Sequence, residues 1–92
     1  DVTQQGLKYF YQELNRLGLE FVPSQGNFVL FNTGRDANSV FSNLLRQGII
    51  LRPVNNYQLP QHLRMSVGLE IENKSAIAAL EKVLLMGISN GK

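Results

Sequence analysis

The chain has 92 residues, 43% hydrophobic and 17% charged, with nine Lys and Arg against seven Asp and Glu for a net charge of +2. That length bounds one small domain, and its basic residues are too few and too scattered to build a nucleic-acid surface. No apolar run approaches the roughly 20 residues that span a bilayer, no stretch has the order of a signal peptide, and the lack of cysteine removes disulfide and thiolate chemistry.

Leu7, Phe10, Tyr11, Leu14 and Leu17 fall at i, i+3, i+4, i+7 and i+10, the stripe of an amphipathic helix. Gly18 stands where a left-handed cap would end it. Pro23, Ser24, Gln25 and Gly26 read as a turn, and the β-prone run Phe28-Val29-Leu30-Phe31 reads as a mainly buried strand. Asp36 suits the N-cap of a second helix that buries Val40, Phe41, Leu44 and Leu45 and stops at Gly48. Ile49-Ile50-Leu51 reads as a short buried strand. Leu63, Met65 and Val67 alternate with Arg64 and Ser66, which predicts a third strand with one apolar and one polar face. A last helix is expected over about Glu72 to Met86, with Ala76, Ile77, Leu80 and Leu84 inward and Gly87 at its end.

This order predicts an α+β two-layer sandwich, a small three-stranded sheet with helices packed on one face. Residues 1–92 read as a single domain. An opening at Asp1-Val2-Thr3-Gln4 without an initiator methionine is what a domain cut from a longer polypeptide would show, and Ser89-Asn90-Gly91-Lys92 fits a natural C-terminal tail.

Arg64 is the leading candidate for chemistry. It lies mid-strand on the polar face, with no Asp or Glu between Asp36 and Glu70, so it is either paired with a distant acid or held ready for a ligand. Arg52 follows the Ile49–Leu51 run and precedes Pro53, which favours extended geometry before it. Consecutive strands are usually neighbours, so the two guanidiniums can converge on one carboxylate or phosphate. Tyr57, in the loop Asn55-Asn56-Tyr57-Gln58, is a further candidate through its phenol, and Asn27 at the entrance of the Phe28 strand is another, although both positions also suit plain turn residues. His62 has no cysteine or nearby acid to orient it and reads as a loop or surface residue, not a base or metal ligand. Lys8, Lys74 and Lys82 sit at polar positions of helices and Lys92 in the tail, so no nucleophile is expected.

The runs Gln25–Phe31, Leu44-Leu45-Arg46-Gln47-Gly48-Ile49-Ile50-Leu51-Arg52-Pro53, Leu59-Pro60-Gln61-His62-Leu63-Arg64-Met65-Ser66-Val67-Gly68 and Glu70–Leu80 together resemble the C-terminal small domain of the histidinol-phosphate aminotransferases. These belong to the fold-type I aminotransferases that use pyridoxal phosphate. The most specific parts are G-I-[IV]-x-R-P and L-P-x-H-L-R-[MIV]-[ST]-[VI]-G. The resemblance implies that Arg64 binds the anionic end of the substrate, either the phosphate of histidinol phosphate or the carboxylate of glutamate and 2-oxoglutarate, and that Arg52 helps to hold the phosphate. It implies pyridoxal phosphate in the parent enzyme, with the Schiff-base lysine in a large domain absent from this chain. It further implies a homodimeric cytoplasmic parent, with that large domain and an anionic small molecule as partners and neither nucleic acid nor membrane among them. A free-standing regulatory module that binds an amino acid or an anion is the alternative.

Overall fold

In the computed structural model, which describes residues 2–23, 26–54 and 59–90 (86–90 as backbone only), the amphipathic stripe near the start winds into α1, Val2–Arg16. Leu7, Phe10 and Leu14 are buried along it, and Gly18 closes it at φ +77°. Leu19 N–H donates back to Leu14 O at 2.9 Å and Gly18 N–H to Asn15 O at 3.0 Å, so the last carbonyls are satisfied in a Schellman turn. α2, Ala37–Arg46, begins where the Asp36 carboxylate accepts Ser39 N–H at 3.0 Å. It ends by the same device: Gly48 takes φ +82° while Ile49 N–H donates to Leu44 O at 3.0 Å.

The strands are β1 (Phe21–Val22), β2 (Phe28–Asn32), β3 (Arg52–Pro53) and β4 (His62–Ser66), all antiparallel in the order β1-β2-β4-β3. The α+β class and the two layers are as expected, but the sheet has four strands rather than three. Phe21-Val22 pairs with Phe31 and Leu30, a two-residue strand too short to carry a pattern. Ile49–Leu51 lies outside the ladder. Leu51 is buried by packing while Ile50 is 74% exposed, and the pairing begins only at Arg52. A short apolar run looks alike whether it is hydrogen-bonded into a sheet or merely packed.

Alternation sorts the sheet into two faces. Val29 opposite Met65 and Phe31 opposite Leu63 are buried in one cluster with Leu7, Phe10, Leu14, Val40, Leu44, Ile77 and Leu80, which places all three helices on that face. Phe28, Leu30, Asn32, His62, Arg64 and Ser66 occupy the other face and are half-buried or exposed. Phe28 is therefore not a core residue, contrary to expectation. α3, Glu70–Asn90, is also longer than expected at both ends. Glu72 Oε1 accepts Leu69 N–H at 2.8 Å and starts the helix early, and the backbone continues helically through Gly87, since a glycine stops a helix only where the chain turns left-handed.

Arg16 ties α1 to α3, with its guanidinium 2.9 Å from both Glu13 and Glu81 carboxylates. The hydrogen bond and the charge of Arg16 hold the Glu81 carboxyl below its usual range. A carboxyl that titrates lower when folded contributes stability above its unfolded pKa, and the contribution is lost as pH falls through the folded value. Glu81→Gln is therefore expected to lower the urea midpoint near neutral pH, and to lower it by less near pH 3, below the ordinary glutamate pKa of about 4.3. Unfolding curves at both pH values check this.

Candidate functional site

β4 is held at both ends. Before it, Thr33 N–H donates to Gln61 O at 2.8 Å and Ala37 N–H to Pro60 O at 3.0 Å. The buried Thr33 hydroxyl lies 2.9 Å from Gln61 O and 2.7 Å from Arg35 O. After it, Val67 N–H donates to Asn27 O at 2.7 Å, and Asn73 grips Gly68 reciprocally, its Oδ1 accepting Gly68 N–H at 2.8 Å and its Nδ2 donating to Gly68 O at 3.2 Å. Asn73 is itself buried, so these bonds are shielded from water.

On this fixed strand Arg64 stands directly opposite Arg52 of β3. Directly opposed residues of an antiparallel pair project to the same face. Both arginines line one cleft of about 390 Å³ between residues 48–51, the end of β4 and the first turns of α3. Ser66, Ile50, Ile71 and Glu72 line it with them. Neither arginine has an ion pair among the described residues. Glu72, the carboxylate of the cleft, is engaged by Leu69 N–H. The Arg64 Nε–H is buried without a hydrogen-bond partner, and its guanidinium carbon lies 5.1 Å from the centre of the Phe28 ring. Two cations facing one another without an ion pair among the described residues form an arrangement that favours an anion, and a guanidinium presents the flat donor fork that matches carboxylate and phosphate.

The other candidates are placed differently. Asn27 is exposed; its carbonyl extends the β2–β4 ladder, and it does not line the cleft. Tyr57 lies outside the described residues. His62 is not in a loop: it opens β4 opposite Asn32, half-buried, with Nδ1 unpartnered. No group of potential metal ligands gathers around it among the described residues. Lys8, Lys74 and Lys82 are exposed, Lys74 paired with Glu70 at 3.1 Å, and none reaches the cleft. The described residues therefore do not fit covalent attachment of an aldehyde cofactor. The sequence pattern does not mark Phe28 as a neighbour of Arg64: its parity with polar Asn32, four residues on, is the available signal, and four apolar residues in succession obscure it.

With the fold and the cleft in place, comparison with known proteins defines the class: residues 2–80 match the family model for aminotransferase class I and II, and the chain belongs to that family. It is 56% identical over 83 residues to the histidinol-phosphate aminotransferase of Bdellovibrio bacteriovorus, covering 90% of this chain and 22% of that protein. It is 53% identical over 87 residues to histidinol-phosphate aminotransferase 2 of Ralstonia nicotianae, covering 91% of this chain and 23% of that one. The crystal structure of the histidinol-phosphate aminotransferase from Sinorhizobium meliloti in complex with pyridoxal-5'-phosphate superposes with a TM-score of 0.84 at 25% identity, over 92% of this chain and 24% of that one. The aromatic aminotransferase of Pyrococcus horikoshii shares the fold at a TM-score of 0.80 and 18% identity, over 92% of this chain and 25% of that one. The chain thus spans less than a quarter of the length of these curated relatives.

Like charges directly opposite each other weaken a strand pair. Arg52→Gln is accordingly expected to leave the chain equally stable or slightly more stable in low salt. Added inorganic phosphate should raise the urea midpoint of the parent sequence more than that of the variant. Paired unfolding titrations with and without phosphate measure both effects.

Proposed function

We propose that this chain is the C-terminal, substrate-closing small domain of a longer pyridoxal-phosphate-dependent aminotransferase that exchanges an amino group between histidinol phosphate and 2-oxoglutarate, a reaction of histidine biosynthesis. The observation that carries this reading is the register of Arg52 against Arg64 in a cleft where neither has a carboxylate partner among the described residues. The sequence similarity to histidinol-phosphate aminotransferases supports the substrate.

In this role Arg64 forks the phosphate or carboxylate tail of the substrate, and Arg52 adds a second guanidinium where the tail is a phosphate dianion. Gripping the tail fixes the position of the reacting carbon at the other end of the substrate, and movement of the domain over it excludes water. The cofactor and the lysine that holds it belong to a large domain of the same parent chain. Ile50, Leu69 and Ile71, 74%, 66% and 72% exposed around the cleft, offer apolar surface for that domain to cover. The parent is a cytoplasmic homodimer in this reading. The match to an enzyme family over residues 2–80 weighs against a free-standing binding module.

In the full-length parent, Arg64→Ala should raise KM for both anionic substrates, at a cost of about 1.5–3 kcal/mol, the range for a hydrogen bond to a charged group. Steady-state kinetics with unaltered KM for both would remove Arg64 from substrate binding. The 92-residue chain alone should not transaminate, and borohydride treatment with pyridoxal phosphate should leave no specific pyridoxyl-lysine on it. Mass spectrometry of the treated chain tests this, and a single stoichiometrically modified lysine would contradict the assignment of the cofactor to another domain.

A further inference from the structure

We infer that Phe28 is a positioning residue for Arg64, holding the guanidinium in place through its ring face while leaving the positive charge free for an anion. The inference rests on the reading of Arg64 as the substrate clamp and adds a residue to it.

Three observations support the assignment. Phe28 pairs with Ser66 and Leu30 with Arg64, so the ring and the guanidinium are diagonal neighbours on the open face of the sheet, within reach of long side chains. The guanidinium carbon sits 5.1 Å from the ring centre, inside the roughly 6 Å range of a cation–π contact. Phe28 is absent from the buried cluster and from the partly buried residues packed against it, so the ring is not needed to fill the core.

The chemistry of the contact suits a binding arginine. A carboxylate partner would orient the guanidinium equally well, but it would cancel much of its charge and compete for the N–H groups that an anion needs. A ring accepts no in-plane hydrogen bond. It covers one face of the flat cation, limits its rotamers and does not occupy the terminal Nη donors. The buried, unpartnered Arg64 Nε–H shows how few alternative contacts this side chain has. Restricting it before the substrate arrives reduces the ordering cost that binding would otherwise carry.

The test uses the full-length parent, with KM and kcat measured for each anionic substrate and the urea midpoint determined for each variant. Phe28→Leu is expected to raise KM by about two- to fivefold, the range of a partly solvated cation–π contact, with kcat little changed. Phe28→Tyr, which keeps the ring face, is expected to restore KM. In an Arg64→Ala background, Phe28→Leu should cause no further change. Unchanged KM in Phe28→Leu, failure of Phe28→Tyr to restore it, or an equal loss in the Arg64→Ala background would each overturn the assignment. So would failure of Phe28→Leu to fold, since a ring outside the core cluster would then carry stability. Unaltered KM in Arg64→Ala alone would instead overturn the underlying reading of Arg64.

Discussion

Two arginines face each other on adjacent strands, Arg52 on β3 and Arg64 on β4, and neither has an ion pair among the described residues. A protein that only needed to fold would gain by replacing one of them or by placing a glutamate between them, because opposed like charges weaken a ladder. The sequence does the opposite. From residue 37 to residue 69 it contains no Asp or Glu at all, and the cleft carboxylate, Glu72, is turned to a backbone N–H at the start of α3. Neither guanidinium is ion-paired among the described residues, and the rest of the structure accommodates the charge.

That accommodation is mostly a matter of rigidity. A guanidinium is useful as a fork only if its Cα is fixed, and β4 is pinned through Gln61 and Pro60 on one side and through Asn27 and Asn73 on the other. The buried face of the same strand is fixed by Leu63 and Met65 against Phe31 and Val29. Arg64 therefore emerges from a central strand anchored at both ends, whereas Arg52 emerges from a two-residue edge strand and is more exposed. The difference suits the proposed clamp, with one fixed fork and one adaptable second cation.

Much of this was legible in the residues. The stripe of α1, the glycine stops at Gly18 and Gly48, the Asp36 cap and the apolar–polar alternation of β4 all follow local rules that tertiary packing did not override. What could not be read depended on partners distant in sequence. Whether Phe21-Val22 or Ile49–Leu51 joins a ladder is decided by the strand alongside, and the first does while the second does not. Phe28 looked like core because its neighbours Val29 and Phe31 are core. Only the register with Ser66 places it on the opposite face, beneath Arg64. The site was thus half visible: the charges could be located from the sequence, whereas the aromatic support beneath one of them and the walls from α3 needed the fold.

The two rims of the sheet share a feature. β1 is two residues long and is followed at once by Pro23, and β3 is two residues long and contains Pro53. A proline has no amide hydrogen to offer an incoming strand, and so short a rim gives little template for one. Lateral growth into filaments is thereby discouraged at both sides. The broad open surface of the sheet and the apolar margin around Ile50 and Ile71 offer instead a geometry suited to stacking against a second body.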